Sequence, residues 1–365
     1  MWNTCTAGET MLLGICGWSQ CGKTTVFEAL TGASKVDGDH SAKSHVGVCH
    51  VADERVDFLS GVFKPKKTTY ATVEYVDLPA LVTAGHSHET NAKTLADVRQ
   101  ADALIAVLRA FKDPTVPHPF GSVDPKRDFE RLWDELVFAD LEIADRRIER
   151  LEADTFKHKP LQKEDEVQLA CLKNIKAALE DGKAASSVSM SDAEDKAVRG
   201  FRFLTAKPIL VLLNRGEDAI GAPPAFSDAD FGYPTVAMFG KLELELSQLA
   251  PEDRAAFMED MGLSALAAPE IIRRGYDALR QISFFTVSDK EVHAWAIPRQ
   301  TPAVEAAGAV HSDMQRGFIR AEVTAFDDFK ALGSFKEARA KGKLRLEGKD
   351  YPVADGDIIL FRFSV

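Results

Sequence analysis

Over the first third of the chain, short apolar runs alternate with helical patterns. Met11-Leu12-Leu13-Gly14-Ile15-Cys16 is almost continuously apolar, as a strand covered on both faces requires. A glycine-rich segment follows, and Thr24 to Leu30 has the pattern of a helix. Val46 to Val51 and Ala71 to Leu78 predict two further strands, the second alternating before it reaches Asp77. A helix from about Glu89 to Gln100 leads into Ala103-Leu104-Ile105-Ala106-Val107-Leu108, again a buried strand. Strand–helix alternation of this kind predicts a mostly parallel sheet with helices on both faces.

From Pro125 to Asp181 the alternation gives way to helix formers and charge. Phe129, Leu132, Leu136, Ile143, Ile148 and Leu151 recur at helical spacing, and after Lys157-His158-Lys159-Pro160 so do Leu169, Leu172, Ile175 and Leu179. The pattern fits an antiparallel, coiled-coil-like hairpin inserted into the sheet domain, with two solvated helices lying on the sheet as the alternative. Lys207 to Leu213 and Pro234 to Phe239 restore the sheet, and helices follow from Lys241 to about Arg280. The end is rich in β-formers, at Ile282 to Thr286, Val292 to Ile297 and Asp357 to Phe363. The fold class expected is α/β, divided into residues 11–127 (first part of a P-loop domain), 128–205 (helical insertion), 206–280 (second part) and 281–365 (a small α+β domain).

Composition narrows the functional classes. At 365 residues the chain has room for two or three domains. No apolar run approaches the roughly 20 residues of a membrane span. The opening residues lack the basic and apolar segments of a secretory signal. Five cysteines without a CxxC pair fit a reducing cytosol, so a cytoplasmic location is expected. A formal charge of −11 argues against coating nucleic acid through bulk charge.

The chemistry begins at Gly17-Trp18-Ser19-Gln20-Cys21-Gly22-Lys23-Thr24, which satisfies G-x-x-x-x-G-K-T between a buried strand and a helix start. Glycines turn backbone N–H groups toward phosphates, and the helix N-terminus adds partial positive charge. Gly17, Ser19, Gln20, Cys21, Gly22, Lys23, Thr24 and Thr25 form the expected phosphate cradle. Lys23 reaches the β- and γ-phosphates and Thr24 holds Mg²⁺. Asp77, at a strand end, is the expected second magnesium residue. Cys21 at a helix N-terminus reads as a thiolate open to oxidation or as a small packing residue. Asn214-Arg215-Gly216-Glu217 stands where GTPases carry N-K-x-D. Glu217 is one methylene too long for the bidentate guanine contact, so adenine, and hence ATP, is the expected ligand.

These residues, with Val46-Gly47-Val48, Asp53-Glu54-Arg55-Val56-Asp57, Lys64-Pro65-Lys66-Lys67, Val123-Asp124-Pro125, Ala139-Asp140-Leu141-Glu142, Lys290 to Trp295, Arg316 to Val323 and Leu346 to Tyr351, resemble the YchF family of Obg-like ATPases over nearly the whole chain. The resemblance implies a GTPase-type fold that prefers ATP, a helical insertion, a ubiquitin-like TGS domain from about residue 281, and association with ribosomes. It places a hydrophobic residue, Leu81, where GTPases orient water with glutamine, and a catalytic histidine at His118. Apart from the resemblance, His118 among prolines reads as an exposed loop histidine.

The sequence departs from the family at three places. Ala80 replaces the glycine of D-x-x-G, keeping the N–H but losing positive-φ freedom. The following segment, Thr83 to Glu89, has lost most of its glycines. Its His86 and His88 read as polar surface rather than a metal site, since no third ligand is evident. In the first switch loop Ser41 stands at the magnesium position, and His40 replaces the family's redox-sensitive cysteine. The expected function is therefore a slow ATPase whose nucleotide state controls association with the ribosome or with translation or stress factors. The alternative is a catalytically weak nucleotide-binding module acting through the hairpin and the TGS domain. Basic clusters at Lys64-Lys66-Lys67, Arg146-Arg147-Arg150 and Lys336-Arg339-Lys341-Lys343-Arg345 are candidates for rRNA contact.

Overall fold

The computed structural model describes residues 11–32, 45–82, 87–156 and 162–364. In chain order, β1 (Leu12–Cys16) and α1 (Lys23–Thr31) flank the glycine-rich loop. Next come β2 (His45–His50), α2 (Glu54–Phe63), β3 (Lys67–Thr69), β4 (Thr72–Asp77), α3 (Ser87–Val98) and β5 (Ala103–Ala110). A 32-residue helix, α4 (Pro125–Phe156), is followed by α5 (Lys163–Glu180) and α6 (Asp192–Val198). The sheet resumes with β6 (Ile209–Arg215), α7 (Asp228–Phe231), β7 (Thr235–Met238), α8 (Gly240–Ser247), α9 (Pro251–Asp260) and α10 (Ala268–Ala278). The rest is β8 (Gln281–Val287), β9 (Glu291–Pro298), α11 (Ala303–Val310), α12 (Ser312–Arg316), β10 (Phe318–Ala325), α13 (Phe326–Leu332), α14 (Phe335–Ala340), β11 (Arg345–Glu347) and β12 (Asp357–Phe363).

Two six-stranded sheets organise these elements. The first runs β2-β4-β1-β5-β6-β7. Its pairs β1–β5, β5–β6 and β6–β7 are parallel, and Cys16, Ala106, Val211 and Thr235 share one register row. β5 and β6 are buried except at their last residues, as their unbroken apolar runs require. The carboxyl ends of these strands therefore lie on one side, where their loops begin.

The helical insertion has two parts. Phe129, Leu132 and Leu136 at the start of α4 join the core of the first sheet. Farther along, Val137, Ala144, Ile148 and Leu151 form a separate core with Cys171, Leu172, Ile175 and Leu179 of α5. The single stripe read from sequence is thus divided between two partners. Asp140, completely buried, fastens the insertion back to the sheet. It accepts from the Leu204 and Thr205 amides at 2.9 and 2.8 Å, the Thr205 hydroxyl and Arg99, enough donors to hold a buried carboxylate.

The chain divides into two compact units. Of the described residues, the first contains 12–32, 45–47, 75–82, 87–156 and 162–271, the second 48–74 and 272–364 together with Met11. The domain boundaries expected from sequence left 48–74 with the nucleotide domain, and here the structure differs. In the second unit, Lys67, Thr68 and Thr69 of β3 pair in parallel with Glu291, Val292 and His293 of β9. Arg55, at the start of α2, bridges Asp53 at 2.8 Å and Asp355 at 2.7 Å. A three-residue strand and an ion pair between residues 300 apart leave no local pattern to read. The second sheet runs β11-β10-β12-β8-β9-β3. Ile282, Phe284, Ile297, Val323, Ile359 and Phe361 pack one of its faces with Ala303, Ala306 and Ala307 of α11.

Candidate functional site

The site begins where β1 ends. Gly17 has φ 150° and Gly22 has φ 89°, both in the region that glycine alone adopts freely. A Cβ on Gly17 would lie 2.5 Å from the Val107 carbonyl oxygen, and one on Gly22 would overlap the Asn214 amide. Gly22 is the N-cap of α1 and makes no side-chain capping hydrogen bond to its first turn. Lys23 is the first residue of that turn and is buried. An uncapped helix start beside a buried lysine is suited to an anion.

Thr24 donates from its hydroxyl to Asp77 Oδ2 at 2.7 Å, so the structure brings together the two described residues expected to hold magnesium. Asp77 Oδ1 is buried and has no hydrogen-bond partner among the described residues. A carboxylate oxygen orphaned beside a hydroxyl and a lysine is the donor set a hard divalent cation would complete, and the residues fit Mg²⁺. Ser41, the third magnesium candidate, and His40 lie outside the described residues, as does His86.

The segment after Asp77 is fastened to the phosphate loop. The Leu81 amide donates to the Gly17 carbonyl at 3.2 Å, and the Ser19 amide donates to the Leu81 carbonyl at 2.9 Å. The Leu81 side chain is 1% exposed, packed in the core with Trp18. Asn91 of α3 holds the next residue from both ends, accepting from the Val82 amide at 3.0 Å and donating to its carbonyl at 3.1 Å.

His118 is not the exposed loop histidine its proline neighbours imply, since its side chain is only 5% exposed. Nδ1 accepts from the Phe120 amide at 3.1 Å, and Nε2 lies 3.0 Å from Asp128 Oδ2. Burial lowers its pKa below the ordinary 6.5, reinforced by Arg109 and Arg127 and opposed by Asp128. The neutral ring with its proton on Nε2 fits both contacts. Asp128 connects this histidine to the phosphate loop, because its carbonyl accepts from Trp18 Nε1 at 2.9 Å. Trp18 also meets Phe120 edge to face, with centroids 4.9 Å apart. The P-loop is thus hydrogen-bonded to the first turn of α4, a link carried by residues 110 apart.

At the other end of the cradle, Asn214 is buried with both ends of its amide engaged. It donates to the Cys21 carbonyl at 3.1 Å and accepts from the Gly240 amide at 3.1 Å. It serves as a clamp between the P-loop and α8. Glu217 is exposed and opens a short 3-10 turn. Arg215, in the lysine position of the GTPase element, donates to the Ala219 and Ala222 carbonyls at 3.0 Å and stacks over Phe239. Phe111 lies between Gly22 and Gly216, 3.8 and 3.3 Å from where their Cβ atoms would be. The sequence gives no signal for Phe111, Gly240 or Asp128, whose places depend on three-dimensional packing.

Two readings sharpen here. Burial pushes the Cys21 thiol up despite the nearby Lys23, and the side chain is 3% exposed, which favours the packing reading over the thiolate. Six of the eleven cations in the basic clusters are paired: Arg146 with Glu142, Arg147 with Asp165, Lys67 with Glu291, Arg339 with Glu322, Lys343 with Asp328 and Arg345 with Asp357. No group of three or more metal-binding side chains occurs among the described residues. Nor is any described helix long and apolar enough to cross a membrane.

With this geometry in place, comparison with known proteins is informative. The chain is 35% identical over 364 residues to "Ribosome-binding ATPase YchF" of Bacillus subtilis, covering 96% of this chain and 99% of that one. The chain belongs to the YchF and Obg-like ATPase family. It is 36% identical to "Obg-like ATPase 1" of rice, covering 97% of this chain and 92% of that protein. Residues 281–364 match YchF-GTPase_C, described as "Protein of unknown function (DUF933)". The solved structure of the Schizosaccharomyces pombe YchF GTPase superposes with a TM-score of 0.85 at 26% identity, covering 99% of this chain and all of that one. Family membership accounts for the α/β P-loop fold with its further C-terminal domain.

Proposed function

We propose that this protein is a slow cytoplasmic ATPase whose nucleotide state controls its association with the ribosome or a ribosome-bound factor. The observation that carries the reading is the pairing of Thr24 with Asp77 beside buried Lys23, under an uncapped helix start, in a chain whose relatives are named ribosome-binding ATPases. Lys23, with the loop amides and Thr25, binds the phosphates, while Thr24 and Asp77 hold the metal. Bound Mg²⁺ supplies charge neutralisation at the β- and γ-phosphates. Glu217, too long for the bidentate guanine contact, favours adenine at the base end.

Hydrolysis is slow because the switch elements are restrained. Leu81 contributes no water-orienting group, and its backbone is bonded to the P-loop on both sides. His118 orients the attacking water only after releasing Asp128, since both ring nitrogens are otherwise engaged. That same engagement favours the second reading, a nucleotide-binding module without turnover. The helical insertion and the C-terminal domain present the partner surfaces, with rRNA contact a minor part.

Parallel titrations of ATP and GTP with Mg²⁺, single-turnover hydrolysis and co-sedimentation with ribosomes test the reading. ATP is expected to bind more tightly, turn over slowly and change the sedimented fraction relative to ADP. Preference for GTP would overturn the base assignment. Tight ATP binding with no turnover would leave the module reading in its place.

A further inference from the structure

The second sheet has a face that the nucleotide chemistry does not use. Opposite the α11 core, Glu322 of β10 stands in register between Leu346 of β11 and Leu360 of β12. Alternation along the strands puts all three on the same face. Glu322 is buried at 8%, whereas Leu346 and Leu360 are 60% and 50% exposed. A cavity of about 390 Å³ opens here, walled by α14 and lined by Val287, Ile358, Leu344 and Phe335 besides Leu360. An exposed leucine, Leu360, at a cavity lined by apolar and basic side chains, with exposed Leu346 on the same face of a sheet whose other face is a closed core, marks an interaction surface.

Charge identifies the partner. Glu322 Oε1 accepts from Arg362 Nε at 2.9 Å, and its Oε2 from Arg339 Nη2 at 3.3 Å. The carboxylate thus positions two guanidinium groups at the rim. Among the described residues the terminal amino groups of Arg362 donate to no side chain or carbonyl, nor do Nε and Nη1 of Arg339. Lys336 also lines the cavity, and Arg320 faces Arg362 across the strand pair. Neither Lys336 nor Arg320 has an ion-pair partner among the described residues. Four cations surround one carboxylate, on a chain whose net charge is −11. The excess is local and selects an anionic ligand.

A nucleic acid fits this surface poorly. Single-stranded bases bind by stacking on exposed aromatic faces, and Phe335 is the one aromatic residue in the lining. The carboxylate at the floor also repels a phosphate brought into the cavity. An apolar side chain fits the cavity, and flanking carboxylates fit the arginine and lysine rim. We propose that this face docks an acidic peptide segment of a partner protein, one that inserts a leucine or phenylalanine between β12 and α14. The site needs no nucleotide, so it stands or falls separately from the ATPase reading.

The test uses the full-length chain and fluorescence anisotropy with a labelled hexapeptide, Asp-Glu-Leu-Phe-Glu-Asp. The controls are the same peptide with lysines in place of its four acids and a labelled single-stranded RNA hexamer. The acidic peptide is expected to bind in a salt-sensitive manner. Lys336→Glu and Leu360→Asp, both at exposed positions, are each expected to weaken it about tenfold, the loss of one rim charge or one anchor contact. Melting temperature and ATP affinity should stay unchanged in both variants. Absence of acidic-peptide binding, equal binding of the lysine peptide, tighter binding of the RNA, or indifference to both substitutions would overturn the proposal.

Discussion

In the first sheet β5 and β6 are buried almost end to end, whereas β9 in the second sheet alternates between buried and half-exposed residues. A sheet covered on both faces has no free face to use, so its polar chemistry is confined to strand ends and the loops that follow. Gly17 to Thr24, Asp77 and Asn214 all occupy such positions. The second sheet has one closed face and one partly open face. Its polar groups therefore stand mid-strand, as Glu322 does between Leu346 and Leu360. One sheet is organised for a small anionic ligand at its strand ends, the other for a chain laid across its surface.

The largest expected effect separates the two. Lys23→Ala removes the buried ammonium from the phosphate cradle and is expected to weaken ATP binding by about 100-fold, roughly 3 kcal/mol for a charge-assisted contact. Isothermal titration would measure it. The same variant should bind the acidic hexapeptide unchanged. Loss of both activities together would show that the two sheets do not function as the separate devices their strand patterns imply.

The same contrast explains what the sequence made legible. The P-loop was readable because its residues are contiguous and the apolar run before them identifies the strand. β5, β6 and β7 followed from unbroken hydrophobic runs. Other features depend on packing between distant segments. The stripe on α4 gave no sign that Phe129 and Leu132 join the sheet while Ile148 and Leu151 join α5. Asn214 looked like a base-reading residue, yet its amide is committed to Cys21 and Gly240. His118 looked exposed because nothing nearby in sequence indicated the Asp128 carboxylate. Cys21 looked electropositive, but burial outweighs both helix start and lysine. The groove on the second sheet was least legible, since strand register alone assembles it from β10, β11 and β12.

An intermediate effect probes the second sheet from within. Asp357 is 2% exposed and accepts from the Tyr351 hydroxyl at 2.8 Å, the Ala354 amide at 2.9 Å and Arg345 at 3.3 Å. Asp357→Ala leaves those donors unpaired and is expected to cost about 2 kcal/mol of stability. Chemical denaturation should register the loss in the transition of the second unit. If ATP affinity fell as well, the cradle would depend on the second sheet more than its own bonds imply.

The smallest expected effect lies at the link between the P-loop and α4. Folding lowers the His118 pKa below 6.5, chiefly by burial, with Arg109 and Arg127 adding to the shift and Asp128 opposing it. As pH falls through about 6.5, the unfolded chain therefore takes up this proton before the folded one does. The folded state keeps its full advantage above that pH and loses it progressively below. The loss is expected to be small, because the Asp128 carboxylate partly compensates the imidazolium. Trp18 donates to the carbonyl of the same Asp128, so its fluorescence should track the change. His118→Gln should flatten both the stability profile and the fluorescence change between pH 7 and 5. A wild-type signal that persists in this variant would assign the titration to another group and leave His118 a purely structural partner of Asp128.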